Sequence, residues 1–351
     1  MAEEPSVGLV TGAHGLVGSY VARQLRADPE WRVVTTSRRP GPAVEGADHV
    51  RADLADTAAL ASAGFAADVT HVFFAAYQIV ADRAEEARVN VAMLENVVRA
   101  LRDRGAPVRH VTLYHGGKAY GAHIGPFKTP AQESDPRLLG PLFYYDQEDM
   151  LRTWAATDGI DFTIFRPDHI CGVAFGPFVN IIHIIALYAS ITKELGQPLR
   201  FPGSEIGYRS LVQLTDARLL ARASAWAANA PSARNQIFNI SNGDFIRWAN
   251  TWPKVAAYFG LEVGQPFAYD LPDVMADKAP LWAQMVQKYG LQPIPFEQMA
   301  SWDYANMILA MERDLISSTI KIRQAGFPDC VDSEECLFSW LDEMRQARLM
   351  P

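Results

Sequence analysis

The chain has 351 residues, 49% of them hydrophobic, and a formal net charge of −8. That is enough apolar material for a large core, in one large domain or in two lobes. No basic block or stripe is present, which excludes a nucleic-acid footprint and leaves any anionic ligand to a local basic site.

The N-terminal stretch MAEEPS is short and acidic, with no apolar signal core. Val7 to Val10 reads as a buried strand, and Leu16 to Leu25 as an amphipathic helix. Between and just inside them stand Gly12, Gly15 and Gly18. A turn of this kind cradles a dinucleotide. The first glycine allows the sharp turn, the second lets the backbone approach a pyrophosphate, and the third lets helix pack closely on strand. Thr11, Gly12, His14, Gly15, Leu16, Val17 and Gly18 are therefore the expected cofactor cradle, at the positive end of the helix. Glycines that serve packing alone are the plainer alternative.

Trp31 to Ser37 reads as the second strand and runs into Arg38 and Arg39, with no carboxylate before Glu45. A carboxylate at this point takes the ribose 2′-hydroxyl of NAD, whereas an arginine accommodates the 2′-phosphate of NADP. Two guanidiniums grip a phosphate bidentately. Ser37, Arg38 and Arg39 thus point to NADPH/NADP+, against the alternative of solvated arginines before a Pro40–Gly41–Pro42 turn. His49 to Ala52 is the third strand, followed by Asp53 and Leu54, which are placed to meet the adenine. Asp53 or Asp56 serves otherwise as a helix cap. Thr70 to Ala76 is a nearly continuous apolar strand, with Ala75 and Ala76 at its cofactor end. A helix from Asp82 to Arg102 and a strand from Arg109 to Tyr114 continue the alternation. The fold class is α/β, a Rossmann-type doubly wound parallel sheet whose ligands bind at the C-terminal strand ends.

Two stretches beyond Tyr114 carry candidate chemistry: His115 to Gly121, HGGKAYG, and Phe143 to Asp149, FYYDQED. Reductases on this scaffold commonly pair a tyrosine with a lysine as YxxxK, since residues four apart share a helix face. The literal match, Tyr114 to Lys118, lies on a strand end and contains Gly116 and Gly117, so helical spacing has no meaning there. In the helix expected from Tyr144 to Thr157, Glu148 and Asp149 stand where the lysine would be. The ordinary pair is broken.

Lys118 in GGKAYG, the GPF of Gly125 to Phe127, and FYYDQED resemble the progesterone 5β-reductase and iridoid synthase-like group of the extended short-chain dehydrogenase/reductases. The resemblance extends through THVFF, RPDHICG (Arg166 to Gly172), YASITKELGQPLRF, FNISNGD and the C-terminal FSWLDEMRQARLMP. It implies that Tyr144 is the catalytic tyrosine, that Lys118 is its partner from the loop after the fifth strand, and that Tyr145 packs. It implies NADPH-dependent reduction of the C=C bond of α,β-unsaturated carbonyl compounds, with Tyr144 and Lys118 stabilising an enolate. Pro167, His169 and Ile170 are expected at the nicotinamide, and Tyr144 at cofactor and substrate alike. Tyr77, where this group usually has a tryptophan, joins His115, Phe127, Phe175, Phe178 and Tyr208 as substrate-pocket candidates. Leu142 replaces an asparagine before FYY, and three extra residues precede GPF.

The sixth strand is expected at Phe162 to Arg166, a helix at Phe178 to Leu195, a strand at Leu211 to Leu214, a helix from about Thr215 to Asn229, and a strand at Gln236 to Ile240. Residues 1–175, completed by about 208–241, make the NADP-binding domain. Residues 176–207 and 242–351 make a smaller, mostly helical substrate lobe, rich in tryptophan, with a surface loop at Asp270 to Ala279. The apolar run Phe178 to Ile191 is too short and polar to span a membrane. Cys171, Cys330 and Cys336 form no CxxC pair and read as reduced thiols of a cytoplasmic protein. The histidines show no metal-ligand spacing, so no metal is expected. Carbonyl reduction or alcohol dehydrogenation, sugar-nucleotide epimerisation, and a non-catalytic NADPH sensor are the alternatives. A small-molecule substrate is the expected partner, with a homodimer by analogy only.

Overall fold

The computed structural model describes residues 6–41, 44–174 and 180–351. The chain forms two compact units. The first takes the chain up to Pro167, then Ala217–Ile240 and Ser318–Asp329. The second holds Asp168–Asp216, Ser241–Ser317 and Cys330–Pro351.

The first unit is built on a seven-stranded sheet. Its strands are β1 (Ser6–Thr11), β2 (Trp31–Ser37), β3 (Asp48–Arg51), β4 (His71–Phe74), β5 (His110–Tyr114), β6 (Asp161–Pro167) and a last strand, Gln236–Ile240. The spatial order is Gln236–Ile240, β6, β5, β4, β1, β2, β3, and every pairing is parallel. The short apolar runs form central strands because both faces are covered: Leu9, Val10, Val72 and Phe73 are fully buried. The chain order reverses beside β1, with β2 on one side and β4 on the other. That switch point opens a crevice at the C-terminal ends of β1 and β4.

The helices that matter for the site are α1 (Leu16–Arg26), α2 (Thr57–Ser62), α3 (Arg83–Arg102) and α4 (Phe143–Thr157). α3 buries Met93, Leu94, Val97, Val98 and Leu101 against the sheet, the face that its sequence period requires. It is finished at both ends. Asp82 caps its start by accepting from Glu85 N at 2.8 Å, and Arg99 and Arg102 sit in its last turn. α1 is left open instead. Gly15 caps it without a side-chain bond, and its first turn holds no acid.

The segment 208–216 departs from its expected place. Leu211–Val212 pairs antiparallel with Ile246–Arg247, and Leu214–Asp216 pairs parallel with His169–Cys171, all within the second unit. Only the helix that follows, Ala217–Asn229, belongs to the first unit. The segment 318–329, expected in the lobe, packs on the last strand. Its Lys321 Nζ donates to Ile237 O at 2.9 Å and lies over the Phe238 ring.

In the second unit, a helix spans Ile181–Glu194, and Asn180 caps it by accepting from Ile182 N at 3.0 Å. Trp248, Trp252, Trp282 and Trp340 are buried, as a hydrophobic core needs. The stretch expected as a surface loop contains a short helix, Leu271–Met275, whose end residues are both buried. Among the described residues, no helix is long and apolar enough to cross a membrane and no group of side chains could hold a metal ion.

Candidate active site

The turn between β1 and α1 has the geometry of a phosphate cradle. Gly12 has φ +62°, and a Cβ on it would lie 2.7 Å from Ala75 O and 3.0 Å from Ala76 Cα. A Cβ on Gly18 would lie 2.4 Å from Gly12 O. Only glycine fits at either position. Thr11, fully buried, accepts from Ala76 N at 3.2 Å and so ties the ends of β1 and β4 together. Leu16 is buried and Val17 half-buried, while the amide end of α1 is free of competing side chains.

At the end of β2, His14 and His49 stack with centroids 5.0 Å apart. Ser37 Oγ lies 3.0 Å from His14 Nδ1 and 3.2 Å from His49 Nε2, and donates to Arg39 O at 2.9 Å. Burial, then the neighbouring His14, lower the His49 pKa below the usual imidazole range. The exposed guanidinium of Arg39 meets no acceptor among the described residues. That of Arg38 lies 3.3 Å from Gln78 Oε1 and 3.8 Å from Asp53 Oδ2. Asp53 is not the cap of α2. Its Oδ1 accepts from Ala55 N, while Asp56 accepts from Ala58 N and Ala59 N. Leu54 is buried, with its carbonyl held by Asn96 Nδ2 at 3.1 Å.

Tyr144 sits in the first turn of α4, its ring flat on His115 with centroids 4.1 Å apart and planes 7° from parallel. Its hydroxyl has no hydrogen-bond partner among the described residues. Burial raises its pKa most, the charge of Glu86 adds to that, and Arg166 opposes it. His115 is fixed from behind. Gln147 Nε2 donates to Asn90 O at 3.0 Å, so its Oε1 faces His115 Nε2 at 3.2 Å as an acceptor. The imidazole therefore carries its proton on Nε2, and the buried Nδ1 has no partner among the described residues. Burial pushes its pKa down to about 3.

Lys118 lies on a 3₁₀ turn, Gly117–Tyr120, directly after β5. Its Nζ donates to Tyr77 OH at 3.4 Å, at the hydroxyl edge of the ring. Tyr77 OH donates in turn to Glu86 Oε1 at 2.5 Å. The sequence reading missed Glu86, Asn90 and Gln147, because each acts on a partner from a different element.

The rest of FYYDQED is scaffold. Tyr145 OH donates to Ala119 O and accepts from Leu138 N, both at 2.9 Å, which fixes the turn that carries Lys118. Glu148 is buried among Arg137 at 3.0 Å, Arg152 at 2.9 Å and Arg166 at 3.5 Å. Asp149 pairs with Arg137. The carboxylates found at the lysine position of YxxxK are thus consumed in ion pairs.

Pro167 ends β6, and its carbonyl lies 3.4 Å from where a Cβ on Gly116 would stand. Phe127 is half-buried in the loop before α4. His169 and Ile170 lie in a strand of the second unit, and Tyr208, in the same unit, packs on Phe201 at 5.2 Å. Phe175 and Phe178 lie outside the described residues.

Residues 46–351 match the model of the PRISE-like Rossmann-fold domain. The chain belongs to the PRISE-like family. It is 33% identical to an (S)-8-oxocitronellyl enol synthase of Camptotheca acuminata, over 99% of this chain and 93% of that one. It is 32% identical to a 3-oxo-Delta(4,5)-steroid 5-beta-reductase of Arabidopsis thaliana, with the same coverage. Among solved structures, UDP-glucose 4-epimerase of Thermotoga maritima matches with a TM-score of 0.70 and 17% identity, over 97% of this chain and 99% of that one. At that identity the epimerase likeness concerns the fold alone. In this PRISE-like chain the FYY and GGK stretches sit in one unit, at the C-terminal end of the sheet.

Proposed function

We propose that this protein is an NADPH-dependent reductase of the C=C bond of α,β-unsaturated carbonyl compounds. Tyr144 is its hydrogen-bond donor and Lys118 its cation. The observation that carries this reading is the placement of Tyr144, its ring flat on His115 and its hydroxyl without a hydrogen-bond partner among the described residues, with burial raising its pKa. A protonated phenol donates. When hydride adds at the β-carbon, charge collects on the carbonyl oxygen as an enolate, and the Tyr144 hydroxyl meets that charge. The Lys118 ammonium stabilises it further. The printed names of the relatives, an enol synthase and a reductase of a 3-oxo-Delta(4,5)-steroid, support the reading.

The cradle fits a dinucleotide. Gly12 and Gly18 leave room that any side chain would fill, and the α1 amides are uncapped. Thr11, Gly12, His14 to Gly18, Ala75, Ala76, Asp53 and Leu54 would hold it, with Pro167 toward the nicotinamide. The exposed guanidinium of Arg39, which meets no acceptor among the described residues, supports NADPH over NADH together with Arg38. When bound, NADPH supplies the hydride.

Oxidation of an alcohol needs the tyrosine as a base, whereas here burial raises the Tyr144 pKa and favours the phenol as a donor. A donor serves 1,2- and 1,4-reduction alike, and the carbon that receives the hydride separates them. Reduction of 2-cyclohexen-1-one with NADPH deuterated at the transferring position tests the proposal. Deuterium on the β-carbon of cyclohexanone is expected. Deuterium on the carbinol carbon of an allylic alcohol would contradict it.

A further inference from the structure

In the YxxxK arrangement, one helix holds both tyrosine and lysine, so the ammonium is placed by rigid backbone. Lys118 is not on that helix, and its turn is tied to α4 through the Tyr145 hydroxyl on Ala119 O, which leaves the side chain itself to be placed. It stands on a single 3₁₀ turn between Gly116 and Gly121, and Gly121 has φ +87°. Something else must place a long, flexible side chain.

Tyr77 does this through its hydroxyl, whose oxygen accepts from Nζ at 3.4 Å with the ammonium at the hydroxyl edge of the ring, 5.6 Å from its centroid. The phenol proton is already committed to Glu86 Oε1 at 2.5 Å. An ammonium can only donate and a carboxylate can only accept, so the chain runs one way, from Lys118 through Tyr77 to Glu86. Tyr77 is itself well fixed. Its ring stacks on Phe143 at 5.5 Å, and Phe143 also touches Tyr144 at 4.7 Å. The next residue, Gln78, exchanges two hydrogen bonds with the Asn90 side chain, at 2.9 and 2.8 Å. Asn90 Nδ2 also donates to Glu86 O at 2.8 Å, so one buried amide registers both ends of the clamp.

We propose that Tyr77 and Glu86 are positioning residues that hold the Lys118 ammonium for Tyr144, replacing the helix that does so in YxxxK enzymes. The proposal rests on the enone-reductase reading of this site. A side chain without an oxygen at position 77 could not accept from the lysine, so the clamp depends on the tyrosine hydroxyl.

Two readouts on the full-length protein test it. The first needs no turnover. With an amine-acylating reagent and peptide mass spectrometry, Lys118 in Tyr77→Phe reacts several-fold faster than in the wild type, while Lys254 is unchanged. Equal Lys118 rates overturn the clamp. The second is a double-mutant cycle on enone reduction. Tyr77→Phe lowers kcat about tenfold and leaves the KM for NADPH unchanged, and adding it to Lys118→Met costs less than about twofold more. Glu86→Gln, which keeps an acceptor but loses the charge, falls between wild type and Tyr77→Phe. Additive losses from Tyr77→Phe and Lys118→Met would mean that Tyr77 acts independently of the lysine and would overturn the positioning role. A wild type that labels as expected but reduces no enone would sink the assigned reaction while leaving the clamp standing.

Discussion

The imidazole of His115 lies flat on the ring of Tyr144, 4.1 Å between centroids, and its proton is directed away to Gln147. The stack fixes the plane of the phenol and leaves the hydroxyl to the substrate. Tyr144→Phe therefore keeps the packing and deletes only the donor. We expect kcat to fall about 10²-fold or more, the range for a lost oxyanion donor or general acid. NADPH affinity by fluorescence titration stays within about twofold, because the change removes no cradle contact. Equal losses in affinity and kcat would show a disturbed fold instead.

Buried neutral histidines make stability depend on pH. Burial lowers His71 to about 3, His110 to about 4 and His115 to about 3, from an ordinary 6.5. A folded pKa below the unfolded one means that the unfolded chain binds the extra protons. The stabilising contribution is complete above pH 6.5 and is lost as pH falls toward 4 and then 3. Urea unfolding at pH 7, 6, 5 and 4 is expected to lose on the order of a few kcal/mol across this window. His115→Phe, which retains a flat ring on Tyr144, flattens that slope. A stability constant from pH 7 to 4 would contradict the buried neutral assignment.

Cofactor choice should separate the two arginines. Arg38 is partly occupied by Asp53 and Gln78, whereas Arg39 is not. Arg39→Ala is expected to raise the KM for NADPH about tenfold or more, the scale of a lost charge-assisted contact, and to leave the KM for NADH within about twofold. Arg38→Ala shows the same direction with a smaller effect. Steady-state kinetics with the two cofactors measure it, and equal losses with both would remove the 2′-phosphate role.

Gly18→Ala places a methyl 2.4 Å from Gly12 O, against backbone that cannot move without shifting β1 or α1. A loss of about 1–3 kcal/mol in stability is expected, with weaker NADPH binding alongside. Chemical denaturation and cofactor titration of the same variant check the pair. Unchanged binding would mean that the cradle tolerates a displaced helix.

Local patterns were legible in the sequence, and contacts among distant elements were not. Trp31–Ser37 and Gln236–Ile240 form as read, because short stretches rich in β-branched and aromatic residues between turn signals favour a strand. Leu211 to Leu214 read equally well as a strand. Which sheet it joins depends on His169–Cys171 and Ile246–Arg247, and no local period reports that. The helix at Leu271–Met275 was hidden by its proline and its shortness, although Asp270 before it is a capping residue. At the site, Lys118 and Tyr144 were found through motifs. The bond from Lys118 to Tyr77, and the line from His115 through Gln147 to Asn90, join four elements of the fold. Such polar chains carry no spacing rule.

The most direct measurement is NADPH consumption with 2-cyclohexen-1-one, with product analysis, in the wild type and in Tyr144→Phe. Consumption by the wild type with cyclohexanone as product is expected, and its near-complete loss in the variant. Turnover that survives in Tyr144→Phe, or an allylic alcohol as the wild-type product, would contradict it.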